Sequence, residues 1–296
     1  TRELERRLAQ VRIGLDAHAI GSRLGGNETY IVGLLDALGK IESSHEFVAY
    51  FASEKSAESW RGRYDNVTVR VLGSSSSWPR LLAELPARAV VDRLDLLHVQ
   101  YVAPPVRYVP VVATVHDICY EFFPEFFSRS EVLQFRTAIR WTARRARRVI
   151  TISENSKRDI VKMYGISPGD IDVSYLGVDL DRFRPSRENA EAESTLVEYG
   201  IHRPYVLAVG NLQPRKNLPR LIEAFVDLKR RRPDLPHTLV LVGKPAFRHS
   251  DVFGSVRRHG LEEQVIFTGY VPDEDLPTLY RSADVFAYPS LYEGFG

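Results

Sequence analysis

The stretch Tyr205-Val206-Leu207-Ala208-Val209-Gly210-Asn211-Leu212-Gln213-Pro214-Arg215-Lys216-Asn217 decides how this chain is built. Its first five residues form one apolar run, the pattern of a strand buried on both faces of a parallel sheet. Gly210 ends the run. Beyond it Leu218, Leu221, Ile222, Phe225 and Leu228 recur on one face of a 3.6-residue helix over 218–229, and Asn217 stands where an N-cap belongs. Strand, loop and helix make half of a βαβ unit. The loop also carries charge. Arg215 and Lys216 lie beside the positive end of a helix, where two cations repel unless an anion sits between them. A diphosphate would relieve that repulsion, and Arg can grip one bidentately. A solvated charged loop would show the same residues.

Downstream the alternation continues with strands at 238–242 and 265–268, a helix at 273–282 and a strand at 284–288. Upstream it runs through strands at 11–15, 47–51, 67–72, 96–99, 111–115 and 149–152. Between these, Tyr30, Ile31, Leu34, Leu35 and Leu38 share a helix face, the serine-rich 74–77 reads as a break, and 130–147 reads as a long helix. Ser153 is placed to cap the helix that the Gly165 region ends. From 180 to 204, Pro185, a run of charges and Pro204 interrupt the pattern, which predicts a linker with a small helix. The expected domains are 1–182, a linker at 183–203, and 204–296. The fold class is α/β, with a cleft between the carboxyl ends of two sheets, where open sheets of this class bind ligands.

At roughly 150 residues per domain, 296 residues also suggest two. With 44% hydrophobic and 26% charged residues, disordered, collagenous and coiled-coil chains are excluded. A net charge of +2 gives no argument for nucleic-acid binding. The one cysteine, Cys119, excludes a disulfide framework and a multi-cysteine zinc site. No apolar run approaches the roughly 18–20 residues needed to cross a bilayer, so a soluble, cytoplasmic protein is expected. Thr1 opens the chain in place of a methionine, and Gly296 closes it just after a strand-like run, where another helix is due. The end reads as cut.

Three further motifs carry candidate chemistry. Gly25-Gly26-Asn27, between the first strand and the first helix, would let backbone approach a phosphate or sugar closely, with Asn27 as cap; an ordinary connection reads alike. The spacing is not G-x-G-x-x-G, which disfavours a nicotinamide cofactor. His116-Asp117 follows an apolar run, on the side that faces a crevice, though a local loop hydrogen bond would explain the pair as well. Glu293-Gly294-Phe295-Gly296 offers a carboxylate for hydroxyls and backbone donors for phosphate, or a flexible terminal loop. Asp-x-Asp at 170–172, 179–181 and 273–275 is too cheap a string to assign a metal, and each copy fits a turn or helix start. Arg136, Arg140, Arg144, Arg145, Arg147 and Arg148 make 136–148 a basic segment suited to anionic lipid or to a solvated face.

In this order and spacing, these pieces resemble a retaining glycosyltransferase of the GT4 family (glycosyl transferases group 1), with the GT-B fold. The resemblance runs from Val11 to Gly296 and adds Thr151-Ile152-Ser153, Leu176-Gly177-Val178-Asp179, Val242-Gly243, Thr268-Gly269-Tyr270-Val271 and Ser282-Ala283-Asp284. It implies two Rossmann-like domains facing a central cleft, the second incomplete here. It also implies transfer of a sugar from a nucleotide-diphosphate donor to a glycan or lipid-linked acceptor, with no metal and no cofactor. Arg215 and Lys216 would hold the diphosphate. Glu293 would hydrogen-bond the sugar beside the amides of Gly294, Phe295 and Gly296. Gly26 would contact diphosphate or sugar, Gly243 and Tyr270 would lie near the base, and His116 would touch the sugar near the reacting carbon. No enzyme nucleophile is implied.

The segment His116-Asp117-Ile118, with Phe123-Pro124-Glu125-Phe126-Phe127-Ser128, looks like the mannosyltransferase branch, which makes GDP-mannose the first donor to consider. Two departures stand out. Asn211 occupies a position where many relatives carry Arg, and the second glutamate of the family's E-x7-E lies beyond the last residue. The resemblance therefore describes a parent enzyme, and this piece alone is expected to bind donor poorly. A sugar-nucleotide 2-epimerase of the same fold and a non-catalytic binding protein are the competing readings.

Overall fold

The computed structural model describes residues 10–22, 25–74, 76–185, 190–246 and 249–296. They form two compact units. The first holds the described residues up to Phe122, together with Arg129–Leu176 and Gly294–Gly296; the second holds Phe123–Ser128 and the described part of Gly177–Glu293.

The first unit is a seven-stranded sheet, all parallel: β1 (Arg12–Asp16), β2 (Glu46–Phe51), β3 (Val67–Val71), β4 (Leu96–Gln100), β5 (Val111–Thr114), β6 (Arg148–Thr151) and β7 (Ile171–Val173). Their order is β3-β2-β1-β4-β5-β6-β7. β2 shows why such runs are apolar throughout. Its odd residues Phe47, Ala49 and Phe51 pack with Leu15, Ile31 and Leu35 in one core. Its even residues Val48 and Tyr50 pack with Leu85, Leu97 and Val99 in another. Alternate side chains point to opposite faces, and helices cover both.

Helix α1 spans Gly26–Lys40, and here the sequence reading is corrected: Gly25 is the cap residue, and Asn27 lies inside the first turn. After β3 the helix α2 runs through Ser77–Pro79, a π-helical Arg80–Glu84 and Leu85–Val91. Only 74–77 reads as a break in the sequence; Pro79 and Pro86 are both tolerated, at a helical start or beside irregular geometry. Helix α3 is Arg129–Arg145, and α4 is Glu154–Tyr164. As expected, the Ser153 side chain accepts from the Ser156 amide, and Gly165, left-handed at φ 65°, closes α4.

The second unit has β8 (Tyr205–Val209), β9 (Thr238–Val242), β10 (Val265–Gly269) and β11 (Val285–Phe286), parallel and in the order β10-β9-β8-β11. Its helices are α5 (Ala190–Glu198), α6 (Leu218–Arg231), α7 (Ser250–Arg258) and α8 (Leu276–Ser282). α5 lies in the stretch read as linker, and its Leu196 is buried with Tyr205, Leu207 and Leu279. α6 buries Leu218, Ile222, Phe225 and Val226, each worth about 1.5–3 kcal/mol at most. α7, with Gly254 and only Val252, Ser255 and Val256 buried, was too weakly periodic to anticipate. α8 is shorter than expected because 273–275 form a turn ahead of it, and β11 covers only two of the five residues expected as strand.

Each sheet reverses its strand order once. In the first unit the reversal falls between β1 and β4, and in the second between β8 and β11. The crevice beyond the carboxyl ends of such a strand pair is where doubly wound sheets bind ligands.

Candidate functional site

The second unit's switch point is made by the loops that follow β8 and β11. Past Val209 the backbone stays tied to the neighbouring strand, with the Gly210 amide donating to Val242 (2.8 Å) and the Leu212 amide to Lys244 (2.8 Å). This close approach needs glycine. A Cβ on Gly243, which sits at φ 144°, would lie 2.2 Å from the Gly210 carbonyl oxygen, and one on Gly210 would meet Lys216 Cε at 2.8 Å.

Pro214–Lys216 then forms one tight turn, and Asn217 adopts the left-handed region at φ 54°. The expectation that Asn217 caps α6 with its side chain is corrected. Its Nδ2 instead donates to the Pro289 carbonyl (3.2 Å), while the Leu291 amide donates to the Arg215 carbonyl (2.9 Å). These bonds stitch the two loops together.

The stitching brings three of the expected residues to one point. Lys216 Nζ donates to Glu293 Oε1 at 2.8 Å, and Arg215 Nη2 lies 3.7 Å from Glu293 Oε2. The Lys216 and Glu293 side chains are each 14% exposed and that of Arg215 22%, so the pairs are partly shielded from solvent. Tyr288 adds its hydroxyl 3.4 Å from Lys216 Nζ, and its ring centroid 4.8 Å away. The anion demanded by two cations at the α6 terminus is thus present in the chain itself. Across the sheet, half-exposed Tyr270 lies under Lys244, whose Nζ is 4.7 Å from the ring centroid.

The first unit's switch point surrounds His116, which follows β5 as read from the sequence. It is buried, its Nε2 hydrogen-bonds Gln100 Oε1 (2.9 Å), and Tyr30 and Tyr101 approach edge-on, with centroids 4.6 and 5.3 Å away. Burial pushes its pKa down to about 4, with the neighbouring His98 adding to the effect. A neutral imidazole at pH 7 offers this site a hydrogen bond and no charge. His98, on β4, is also held near 4 by burial, against the pull of Asp16, and its Nε2 meets Thr114 Oγ1 (2.8 Å), which meets the Tyr30 hydroxyl (2.9 Å).

Asp16, at the end of β1, is buried. Burial raises its pKa, but His18 and Arg80 more than offset that and leave it below the usual carboxylate range. Arg80 Nη1 bonds one of its oxygens and His18 Nδ1 the other (2.9 Å). Between these loops, α2 and α3 lies a cavity of about 200 Å³, lined among others by His18, Trp78, Arg80, Gln100, Tyr101 and Gln134. Tyr101 holds a left-handed φ of 60° there, a conformation that side-chain-bearing residues keep mainly where surrounding structure enforces it.

No sequence motif points to Asp16, His18, Gln100 or Tyr101. The available signal was position: all four sit at or just past the carboxyl ends of β1 and β4, the strands that flank the reversal. Arg80 and Trp78 give no signal, since the sequence reading assigns no element to the helix that carries them beyond the serine-rich break at 74–77.

Gly26 stands in the first turn of α1, and a Cβ there would meet nothing within 4 Å. Gly294 is packed tightly in the first unit. A Cβ on it would lie 2.7 Å from the His116 carbonyl oxygen, and its own carbonyl accepts from Ser153 Oγ (2.5 Å) and Ser156 Oγ (3.3 Å). Phe295 lies against Tyr175, with centroids 6.3 Å apart, and half-buried placement ends at Gly296, which is exposed.

The discounted motifs resolve into local structure. Asp179 Oδ1 accepts from the amides of Asp181 and Arg182, Asp172 pairs with Arg148, and Asp275 accepts from Tyr199. In the basic segment Arg136 bonds Glu121, Arg144 bonds the Tyr164 carbonyl, and Arg145 lies over Trp141. Among the described residues no helix is long and apolar enough to cross a membrane.

The model described as Glycosyltransferase Family 4 matches residues 24–182, more than half of the chain, and that described as Glycosyl transferases group 1 matches 198–296. The chain belongs to glycosyltransferase family 4. The O-antigen chain mannosyltransferase B of Escherichia coli is 31% identical over 193 residues, covering 65% of this chain and 50% of the relative. The GDP-mannose-dependent alpha-(1-6)-phosphatidylinositol monomannoside mannosyltransferase of Mycolicibacterium smegmatis is 28% identical over 298 residues, covering 93% and 71%. The chain thus spans about half the length of the first of these relatives. Among solved structures, Anabaena HepE in complex with UDP and glucose superposes with a TM-score of 0.67 at 23% identity, covering 97% of this chain and 76% of that one. The family and these neighbours place the fold in the GT-B class, two Rossmann-like domains, as the sequence implied.

Proposed function

We propose that the protein is a hexosyltransferase that moves a sugar from a nucleotide-diphosphate donor to a glycan or lipid-linked acceptor, with retention and without a metal. The observation that carries this reading is the convergence of Arg215 and Lys216 on Glu293 at the switch point of the second unit. Two cations fixed beside a helix N-terminus make a site for the charge that builds on a departing diphosphate. When a donor binds, its diphosphate exchanges for the Glu293 carboxylate as their partner. Glu293 is thereby released to accept hydrogen bonds from sugar hydroxyls, next to Gly294, Phe295 and Gly296.

Gly243 and Tyr270 serve the nucleoside end, and Gly26 offers open backbone to the diphosphate or sugar. His116, neutral at pH 7, hydrogen-bonds the sugar and carries no proton to or from it. In the transfer the bond from C1 to the diphosphate oxygen breaks. The acceptor hydroxyl oxygen bonds C1 on the same face, and its proton passes to the departing phosphate. GDP-mannose is the first donor, supported by the relative that is GDP-mannose-dependent; UDP-glucose is the alternative, supported by the neighbour that holds UDP and glucose. The basic segment 136–148 suits peripheral contact with an anionic membrane face bearing a lipid-linked acceptor.

Calorimetric titration of GDP-mannose, UDP-glucose and UDP-N-acetylglucosamine into the full-length protein tests the reading. One donor binds, and Lys216→Ala weakens it by about 10- to 150-fold, the loss of a charge-assisted hydrogen bond of about 1.5–3 kcal/mol. Absence of binding by any donor, or a Lys216→Ala variant that binds unchanged, overturns it.

A further inference from the structure

The segment Phe123–Ser128 belongs to the second unit, although its chain neighbours Phe122 and Arg129 belong to the first. Pro124–Phe126 winds one tight turn, closed by the Phe126 amide donating to the Phe123 carbonyl (3.1 Å) and the Phe127 amide to the Pro124 carbonyl (3.1 Å). Side chains three residues apart eclipse in such a turn. Phe123 accordingly stacks on Phe126, with centroids 5.1 Å apart and planes 3° from parallel. The Phe123 ring also meets Tyr292, with centroids 5.9 Å apart and planes tilted by 57°. All three rings are half-buried. Tyr292 directly precedes Glu293 in the chain.

We propose that Phe123, braced by Phe126, is a positioning residue for sugar transfer, acting through Tyr292 on the backbone that carries Glu293. The inference rests on the transfer reading above and adds what keeps its carboxylate in place. The Glu293 side chain is fixed here by Lys216 Nζ at 2.8 Å and Arg215 Nη2 at 3.7 Å. In the transfer reading the donor diphosphate takes over both cations. Both of these holds are then lost at the moment when the carboxylate must meet the sugar.

Its placement falls to the backbone before it. The Leu291 amide is anchored on the Arg215 carbonyl (2.9 Å), and Tyr292, the last residue before the carboxylate, is anchored by its ring contact with Phe123. Stacked and tilted aromatic pairs add free energy beyond the area they bury. A site group also tolerates little slack, since a displacement of about 1 Å can cost about 10²-fold in turnover. The cations reach the diphosphate from a different loop, the one after β8. Removing the Phe123 ring therefore costs the sugar contact and spares the diphosphate contact.

The test is calorimetry on the full-length protein with GDP and GDP-mannose, or with UDP and UDP-glucose where the wild type takes that pair. Phe123→Leu, which keeps apolar bulk and removes the ring, weakens the sugar nucleotide about 3- to 10-fold. The bare nucleoside diphosphate stays within about twofold of its wild-type affinity or binds more tightly, which also shows that the second unit is folded. Phe123→Tyr, which keeps the ring, restores sugar-nucleotide binding. In a Glu293→Gln background Phe123→Leu has no further effect on the sugar nucleotide, because its route runs through that side chain. Equal losses for the bare and the sugar-bearing nucleotide overturn the proposal. So does a Phe123→Leu variant that binds the sugar nucleotide as the wild type does, or a loss that persists undiminished beside Glu293→Gln. A wild type that binds none of the four nucleotides sinks the transfer reading, and this inference with it, before any variant is made.

Discussion

Acidification should destabilise the first unit well before its carboxylates titrate, because two imidazoles are buried neutral. His98 and His116 are both held at about 4, against 6.5 for an ordinary histidine. Between those values the unfolded chain binds protons that the folded chain refuses. Their contribution is fully present above about pH 6.5, drains as pH falls, and is exhausted near pH 4. At pH 5 a shift of this size removes about 2 kcal/mol per imidazole, so about 4 kcal/mol for the pair. That sum is a fair fraction of the ~5–15 kcal/mol that holds a typical domain together.

All three tryptophans, Trp60, Trp78 and Trp141, lie in the first unit, so their emission during urea unfolding reports that unit selectively. The wild type is compared with His98→Gln/His116→Gln at pH 7 and pH 5. The wild type loses about 4 kcal/mol more than the variant between the two pH values, and imidazole nitrogen shifts show both rings neutral at pH 5. If the two proteins lose stability equally, or if either ring titrates near 6.5, the account of a neutral His116 at the site is wrong.

Two further outcomes concern the frames around the sites. Gly243→Ala places a methyl 2.2 Å from the Gly210 carbonyl at a φ of 144°; it should lower the stability of the second unit by more than about 2 kcal/mol, seen by chemical denaturation followed by circular dichroism. Arg80→Met leaves Asp16 buried with His18 alone and should cost about 3–5 kcal/mol in tryptophan-detected unfolding, with Asp16→Asn/Arg80→Met recovering most of the loss.

Much of the fold was legible because parallel strands covered on both faces must be apolar along their length, and such runs stand out in the chain. The runs at 205–209 and 238–242 needed no context to be read, and the Ser153 and Gly165 signals around α4 depend only on local backbone chemistry. The cations Arg215 and Lys216 were legible too, since their position beside a helix start is a matter of sequence order. α2 was hidden behind the serines of 74–77, which read as a break at its start, and α7 because its buried face is only three residues wide.

What sequence order could not decide is which charges meet. Asp16 and Arg80 are 64 residues apart, Lys216 and Glu293 77. Lys216 and Glu293 meet because β8 and β11 flank a reversal and deliver their carboxyl-terminal loops to one place, whereas Arg80 reaches Asp16 at the end of β1 from helix α2, which follows β3. The residue types and the alternation were determined by the chain alone. The buried Asp16–Arg80 pair, and the carboxylate seated between two cations, were decided only by how the strands and helices pack in three dimensions.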